Sequence, residues 1–234
     1  MRPYRAVIFD LYWTLLYEAK TGLEERATAV ALEAGAEPEA WRRAWHSTME
    51  ASFKGQVSLL ERTRMALARA GAKHCDGELP EKLAGLMGAR SIPRLYPDVR
   101  EELPKVRARG FKLALLSNIA SYRANWLNEI ELAPHFDTMV LSCEMGIMKP
   151  DRAMYLAAAE RLGLAPQECV FVDDVPPYVA AAQAVGMAGI RINRFDSEKP
   201  YAHEEPTDVT PDLAIKDLSQ LLEWLPPRAG APRE

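Results

Sequence analysis

Four short polar segments stand where predicted apolar strands end, and their side chains are of the types that attack, bind or neutralise an anionic group. They are Asp10 with Thr14, the pair Ser117-Asn118, Lys149 before Pro150, and the pair Asp173-Asp174. Each segment alone is a weak signal, because a polar residue after a strand also fits a turn. Together they supply a nucleophile, hydrogen-bond donors, a cation and paired carboxylates, which is a set suited to one reaction centre.

The chemistry of this set follows from its charges. Asp10 is a carboxylate that can attack phosphorus or carbon and form a covalent intermediate. Transfer of a phosphoryl group requires neutralised negative charge, which Lys149 and a divalent cation would provide. Mg²⁺ prefers oxygen ligands, and Asp10 with Asp174, and Asp173 near them, meets that preference. Ser117 and Asn118 can donate hydrogen bonds to anionic oxygens.

The elements that must bring these segments together alternate between strand and helix after residue 92. Short runs of β-branched and aromatic residues predict strands at 6–9, 111–116, 138–141, 169–172, 188–192 and 213–215. Helical patterns lie between them, including one from Ser121 to about Ile130, so we predict an α/β fold with a parallel sheet and helices on both faces. Ligands of such sheets bind outside the carboxyl ends of the strands, where all four polar segments would lie.

Residues 17–92 show a different pattern. Helical periodicity predicts four helices, beginning near 22, 38, 58 and 80, and no strand between Tyr17 and Arg90. We therefore predict a core domain of residues 1–16 and 93–225 with an inserted all-α cap domain. Trp41 and Trp45 would pack inside this cap, and the neighbouring Arg42 and Arg43 are candidates for contact with an anionic substrate. Residues 195–211 are predicted to be a surface loop and 226–234 a disordered tail.

Composition narrows the function further. The chain of 234 residues is 48% apolar and carries a net charge of −4, which fits a globular protein and disfavours a broad nucleic-acid-binding surface. Its three cysteines form no metal-binding or disulfide pattern. Because no segment approaches a membrane span or a signal peptide, we expect a cytoplasmic protein without a membrane partner. The expected partner is a small anionic substrate, and the protein would be a monomer or homodimer.

The order and spacing of FDLYWTL, LLSN, KPD and FVDD resemble the four motifs of the haloacid dehalogenase superfamily of aspartate-nucleophile hydrolases. The resemblance covers residues 6–225 and implies a Rossmann-like core with a helical cap and Mg²⁺ as the cofactor. It makes Asp10 the nucleophile, with Thr14 positioning it. The roles it implies for the other residues are anion binding by Ser117 or Asn118 and by Lys149, and metal binding by Asp174, Asp173 and the carbonyl of Tyr12.

One motif departs from the phosphatase pattern of this superfamily. Phosphatases usually read Asp-x-Asp-x-Thr, with the second Asp as general acid, but this chain has Tyr12 there. A phenol is a poor proton donor at neutral pH, and general acid catalysis contributes typically 10²–10⁴-fold. The Asp-x-Tyr form resembles the 2-haloacid dehalogenases, although Trp13 replaces their Gly. Those enzymes also lack the paired acidic motif, and they place a water-activating Asp about where this chain has Tyr178.

Three functions stay open at this point. The paired carboxylates favour Mg²⁺-dependent hydrolysis of a small phosphomonoester. Tyr12, which is also a candidate substrate contact, favours a 2-haloacid dehalogenase. The absent general acid and the bulky Trp13 also fit a weakly active or non-catalytic protein that binds a phosphorylated ligand.

Overall fold

The computed structural model describes residues 4–195 and 208–225. Within these residues the strands, in chain order, are β1 (Ala6–Phe9), β2 (Leu16–Lys20), β3 (Ser91–Leu95), β4 (Lys112–Ser117), β5 (Thr138–Leu141), β6 (Cys169–Asp173), β7 (Ala188–Ile192) and β8 (Leu213–Ile215). Six of them form one parallel sheet in the order β5-β4-β1-β6-β7-β8. The other two pair antiparallel as a separate ribbon.

Helices connect these strands. In chain order they are α1 (Glu24–Glu33), α2 (Pro38–Ser47), α3 (Met49–Phe53), α4 (Leu59–Arg69), α5 (Glu78–Ala89), α6 (Pro97–Ala108), α7 (Ser121–Ala124), α8 (Trp126–Glu129), α9 (Ser142–Met145), α10 (Arg152–Leu162), α11 (Pro176–Ala184) and α12 (Leu218–Trp224).

The central strand β1 shows why the sheet is buried on both sides. Val7 and Phe9 point into a core shared with α6, α8 and α12, whereas Ala6 and Ile8 point into a second core shared with α10 and α11. All four side chains are fully buried. Both faces of a parallel sheet are covered in this way because each crossover places a helix against one face. The predicted α/β architecture with helices on both faces is confirmed.

The strand register fixes where the reactive segments lie. Phe9 is opposite Val172 on one neighbouring strand and opposite Leu115 on the other. The residues that follow, Asp10 and Asp173, therefore leave the sheet side by side, and Ser117 ends the strand on the other flank of β1. This edge is the one where ligands of open α/β sheets bind.

Helices α1, α2, α4 and α5 pack around a core of their own, separate from the two cores of the sheet. Its members are Ala27, Val30, Ala31, Ala34, Ala36, Trp41, Ala44, Trp45, Ala66, Leu67, Ala70, Leu83 and Met87. The expected packing of Trp41 and Trp45 is confirmed, since both are buried with ring centroids 5.6 Å apart. We refer to these four helices together with α3 as the cap helices.

Two local predictions were wrong. Strand β2 lies inside the region predicted to hold no strand, where it pairs with Ser91–Leu95. Its Glu, Ala and Lys residues favour helix over strand, so only its distant partner determines its conformation. The helix predicted from Ser121 to Ile130 is split into α7 and α8 at Asn125. The predicted tail 226–234 and most of the predicted loop 195–211 lie outside the described residues.

We refer to the six-stranded sheet and the helices that cover it as the sheet domain. The cap helices meet the sheet domain at a close backbone contact. Ser142 Oγ donates to the Phe53 carbonyl oxygen at 2.7 Å and accepts from the Ile119 amide at 2.9 Å. Two residues after Phe53, Gly55 has a φ of +65°, and a Cβ there would collide with the carbonyl oxygen of Cys143. A glycine is thus required at position 55 by the left-handed backbone and by the close approach of the backbone at Cys143.

Replacing Gly55 tests this contact against a control. Gly71 has a similar φ of +73° but open space where a Cβ would stand. We expect Gly71→Ala to lower the free energy of unfolding by about 1–2 kcal/mol, the cost of the left-handed backbone. Gly55→Ala should lower it by a further ~1–3 kcal/mol, because the added methyl overpacks the contact. Equal losses in urea unfolding of the two variants would show that the close approach does not exist.

Candidate active site

A buried ammonium group stands between two carboxylates at the edge of the sheet. Lys149 Nζ donates to Asp10 Oδ1 and to Asp173 Oδ2, each at 2.6 Å. Lys149 is 1% exposed, and both carboxylates are buried as well. A charge removed from water in this way is tolerated only when partners at hydrogen-bonding distance offset its desolvation. The geometry therefore fixes one oxygen of Asp10 and leaves its other oxygen, Oδ2, for a ligand.

The charges of this cluster do not balance. Burial opposes the charged form of Lys149, but Asp10 and Asp173 together raise its pKa above the ordinary value. Burial raises the pKa of Asp173 well above its usual range, and the neighbouring Asp10 and Asp174 add to the rise, although Lys149 opposes it. The carboxylates of Asp10, Asp173 and Asp174 lie together and repel one another when all are ionised. A further cation at this place would be electrostatically favourable.

The same carboxylates meet the requirements of a metal ion. Oxygens of Asp10, Asp173 and Asp174 all lie within 4.8 Å of one another, and all three residues are buried. Hard divalent cations such as Mg²⁺ take oxygen ligands of this kind. The residues present therefore fit a Mg²⁺ ion, which the sequence predicted at this position. The carbonyl of Tyr12 as a further ligand stays a prediction.

Asn118 serves the backbone of Lys149. Its Nδ2 donates to the Lys149 carbonyl oxygen at 3.0 Å, and its Oδ1 accepts from the Lys149 amide at 2.8 Å. Both polar atoms of the Asn118 side chain thus hold the backbone that carries the ammonium group of Lys149. The substrate contact predicted for Asn118 stays a prediction, and it would have to compete with these bonds.

Three hydroxyl groups of the predicted site have no hydrogen-bond partner among the described residues. They are Thr14 Oγ1, Ser117 Oγ and Tyr12 Oη. Thr14 and Ser117 are fully buried, and buried polar groups without partners are rare in folded proteins. Such groups near a reaction centre are available to a ligand oxygen. Burial, the largest effect, raises the pKa of the Tyr12 phenol far above its ordinary value, so this group stays protonated at neutral pH.

Aromatic side chains enclose the ammonium group. Lys149 Nζ lies 5.0 Å from the ring centroid of Tyr178 and 5.4 Å from that of Phe171. Asn118 Nδ2 donates to Tyr178 Oη at 3.3 Å, and Tyr155 Oη donates to the Tyr178 carbonyl oxygen at 3.0 Å. The phenol at position 178 thus helps to hold Asn118. Sequence reasoning did not identify Tyr155 or Phe171, which look like ordinary core residues in a helix and a strand.

The predicted arginines of the cap lie elsewhere. Arg42 and Arg43 are exposed on α2, where Arg42 forms an ion pair with Glu39. No hydrogen bond or ion pair among residues 4–195 and 208–225 joins either of them to the carboxylate cluster. Two other arginines, Arg62 and Arg123, are instead buried where the cap helices meet the sheet domain. The helical pattern did not reveal them, because charged residues on an amphipathic helix are expected to face water.

Comparison with known proteins identifies the family. A family model described as haloacid dehalogenase-like hydrolase matches residues 4–186. This chain belongs to that family. It is a hydrolase, as the resemblance of its four motifs predicted, and its relatives include both phosphatases and dehalogenases.

Similarity to both chemistries extends over most of the chain. The glyceraldehyde 3-phosphate phosphatase of Methanopyrus kandleri is 31% identical over 232 residues, covering 94% of this hydrolase and 96% of the relative. The (S)-2-haloacid dehalogenase 4A of Burkholderia cepacia is 27% identical, covering 84% of this chain and 86% of its own. The crystal structure of a 2-haloacid dehalogenase from Pseudomonas syringae superposes with a TM-score of 0.68 at 26% identity, covering 94% and 97% of the two chains.

The described part of the hydrolase has no helix that combines the length and the apolar character of a membrane span.

Proposed function

We propose that this hydrolase cleaves small phosphomonoesters with the help of Mg²⁺. The observation that carries the proposal is the cluster in which Lys149 bridges Asp10 and Asp173 while Asp174 lies within metal-binding distance. A halide leaving group requires no metal, whereas a phosphoryl group benefits from a cation that neutralises its charge. The excess of carboxylates is difficult to reconcile with an anionic substrate unless a cation binds among them.

The reaction begins at Asp10. Its Oδ2 attacks the phosphorus atom, the ester bond to the alcohol oxygen breaks, and an aspartyl phosphate forms. Water then attacks this phosphorus, which restores the carboxylate and releases inorganic phosphate. Lys149 holds Oδ1 of Asp10 and faces the negative charge of the phosphoryl group throughout. Thr14 and Ser117 offer hydroxyl groups to its oxygens, and a bound Mg²⁺ would supply further charge neutralisation.

The leaving group has no evident acid to protonate it. Tyr12 occupies the position of the second Asp, and the raised pKa of its phenol makes it a weaker acid than an ordinary tyrosine. Alcohols that are themselves acidic can leave without protonation, whereas poor leaving groups cannot. The hydrolase should therefore favour esters of acidic alcohols and turn over alkyl phosphates slowly.

The first experiment measures phosphate release from p-nitrophenyl phosphate with Mg²⁺. Asp10→Asn should lower kcat by at least about 10³-fold, because an amide is not a nucleophile toward phosphorus. Asp76→Asn is the control, since Asp76 is an exposed carboxylate of the cap that forms an ion pair with Arg64, and it should leave kcat unchanged. Removal of Mg²⁺ with EDTA should abolish turnover. Activity that persists in EDTA would contradict the proposal.

A second experiment restores the missing acid. Tyr12→Asp should raise kcat on alkyl phosphates by up to about 10²-fold and change kcat on p-nitrophenyl phosphate little, because general acid catalysis matters only for poor leaving groups. Tyr12→Phe is the matched control and should change neither rate appreciably. An equal effect of Tyr12→Asp on both esters would show that this position does not face the leaving group.

Hydrolysis of 2-haloacids is the second candidate function. It is favoured by Tyr12, by the likeness to the Burkholderia and Pseudomonas dehalogenases, and by the raised pKa of the phenol, since a departing halide needs no proton. The discriminating measurement is halide release from 2-chloropropionate in the presence of EDTA. Chloride release under these conditions, without phosphate release in Mg²⁺, would decide for the dehalogenase. Ligand binding without either turnover would leave the third candidate, a phospho-ligand binding protein.

A further inference from the structure

Arg62 is a buried cation without an acidic partner. It lies on α4, is 3% exposed, and donates from Nε to Thr48 Oγ1 at 3.3 Å and from Nη2 to the Trp45 carbonyl oxygen at 3.0 Å. Its Nη1 reaches across to the sheet domain and donates to Tyr122 Oη at 3.1 Å. All three acceptors are neutral. No carboxylate of the described residues forms an ion pair with it, and two of the five N–H groups of a guanidinium are left over.

The neighbouring Arg123 shows how this protein ordinarily compensates such a charge. Arg123 is also buried, but it forms an ion pair with Glu18 and donates to Ser91 Oγ at 3.1 Å. Buried charges are generally paired, because an isolated buried ion loses its hydration and gains no interaction that compensates for it. Unlike Arg123, Arg62 forms no ion pair with a carboxylate of the described residues, although both arginines lie where the cap helices meet the sheet domain.

A second guanidinium makes the imbalance larger. Arg62 lies 3.9 Å above the ring centroid of Trp45, and Arg90 lies 5.8 Å from the same centroid. Arg90 Nε is buried and has no hydrogen-bond partner within the described residues. An indole ring attracts a cation through its quadrupole but carries no countercharge. Burial is the largest effect on Arg62 and lowers its pKa from the ordinary value; Tyr122 opposes this change and Arg90 adds to it.

Arg62 contacts the segment that follows the reactive pair Ser117-Asn118. Tyr122, which accepts from Arg62, belongs to α7, and this helix begins at Ser121, shortly after β4 ends at Ser117. The Tyr12 ring in turn lies 6.5 Å from that of Trp126. Arg62 is therefore bonded to a residue near the edge of the sheet that carries Asp10 and Ser117, and the Tyr12 hydroxyl near this edge has no hydrogen-bond partner among the described residues.

We propose that Arg62, assisted by Arg90, binds a second anionic group of the substrate, and that the substrate is a phosphorylated carboxylic acid. The phosphoryl end would be held by Asp10, Lys149 and the metal site, and this part rests on the proposed function. The carboxylate at the other end would accept from the two unused N–H groups of Arg62, since a guanidinium matches a carboxylate in geometry and charge. It would also supply the countercharge that Arg62 lacks.

Matched pairs of substrates test this inference. 3-Phosphoglycerate and glycerol 3-phosphate differ in a carboxylate against a neutral hydroxymethyl group, and phosphoglycolate and ethyl phosphate differ in a carboxylate against a methyl. We expect the wild-type kcat/KM to favour the acid in at least one pair on the order of 10²-fold, because a site built for a polar group strongly rejects analogues that lack it. In Arg62→Met the preference should fall to about onefold, while turnover of the neutral ester is retained.

The control is Arg69→Met. Arg69 is on the same helix and also bonds only neutral acceptors, the carbonyl and hydroxyl oxygens of Ser47, but it is exposed. Its replacement should leave the preference intact. Arg62→Lys keeps the charge and should retain part of the preference, which separates loss of charge from loss of folding. A wild-type enzyme indifferent to the carboxylate, or a preference that survives in Arg62→Met, would overturn the inference.

Thermal stabilisation separates this inference from the proposed function. If no phosphate is released from any ester, the proposed catalysis fails, but binding can still be measured from the change in Tm with each ligand. Greater stabilisation by 3-phosphoglycerate than by glycerol 3-phosphate, lost in Arg62→Met and kept in Arg69→Met, would support the second anion site. Equal stabilisation by the two ligands in the wild-type protein would overturn it.

Discussion

The ammonium group of Lys149 between Asp10 and Asp173 is the interaction on which the active site depends. An ion removed so completely from water is stable only with charged partners at hydrogen-bonding distance, and here two distant segments of chain provide them. The parallel pairing of β1 and β6 sets both carboxylates side by side, and Asn118 holds the backbone that delivers the lysine. The cluster thereby orients Asp10, the proposed nucleophile, before any substrate binds, and such positioning lowers a reaction barrier.

The same cluster is the basis for proposing that a metal and an anionic substrate bind together. Lys149 offsets part of the charge of the three carboxylates and leaves an excess that a divalent cation would neutralise. Where the cap helices meet the sheet domain, the imbalance is opposite in sign, because no carboxylate of residues 4–195 and 208–225 forms an ion pair with Arg62 or Arg90. A substrate with an anion at each end would bind the metal and Lys149 at one end and neutralise the charge of the arginines at the other. The reactive carboxylate and the buried arginine thus define the two ends of one ligand.

Sequence reasoning succeeded where local patterns determine structure. The strands of the sheet are short apolar runs, and each reactive segment follows one of them or lies in an adjoining loop, so the rule that ligands bind at the carboxyl ends of strands brought Asp10 and Asp173 together correctly. Lys149 was expected at the same edge, but its ion pairs with both carboxylates were not predicted. Strand β2 was missed because its residues favour helix and only pairing with residues 91–95 makes it a strand.

The burial of Arg62 and Arg123 could not be predicted from the periodicity of the sequence. Periodicity places charged residues on the solvent face of a helix. Arg42 and Arg43 were proposed as substrate contacts because they lie beside the tryptophan stripe of α2. Arg62 was not singled out, although the structure exposes the first two arginines and buries the third. Burial of Arg62 results from the way α4 packs against α2 and reaches Tyr122 across the domain contact. Such long-range packing has no signature in a single sequence.

The central claim is that Asp10 accepts a phosphoryl group beside Lys149 and a bound metal. The most direct measurement is fluorine NMR of the protein with beryllium fluoride, which forms a complex with a carboxylate that mimics an aspartyl phosphate. We expect bound fluorine resonances with the wild-type protein in Mg²⁺, and none in EDTA or with Asp10→Asn. Bound resonances that persist in Asp10→Asn, or their absence from the wild-type protein in Mg²⁺, would contradict the account.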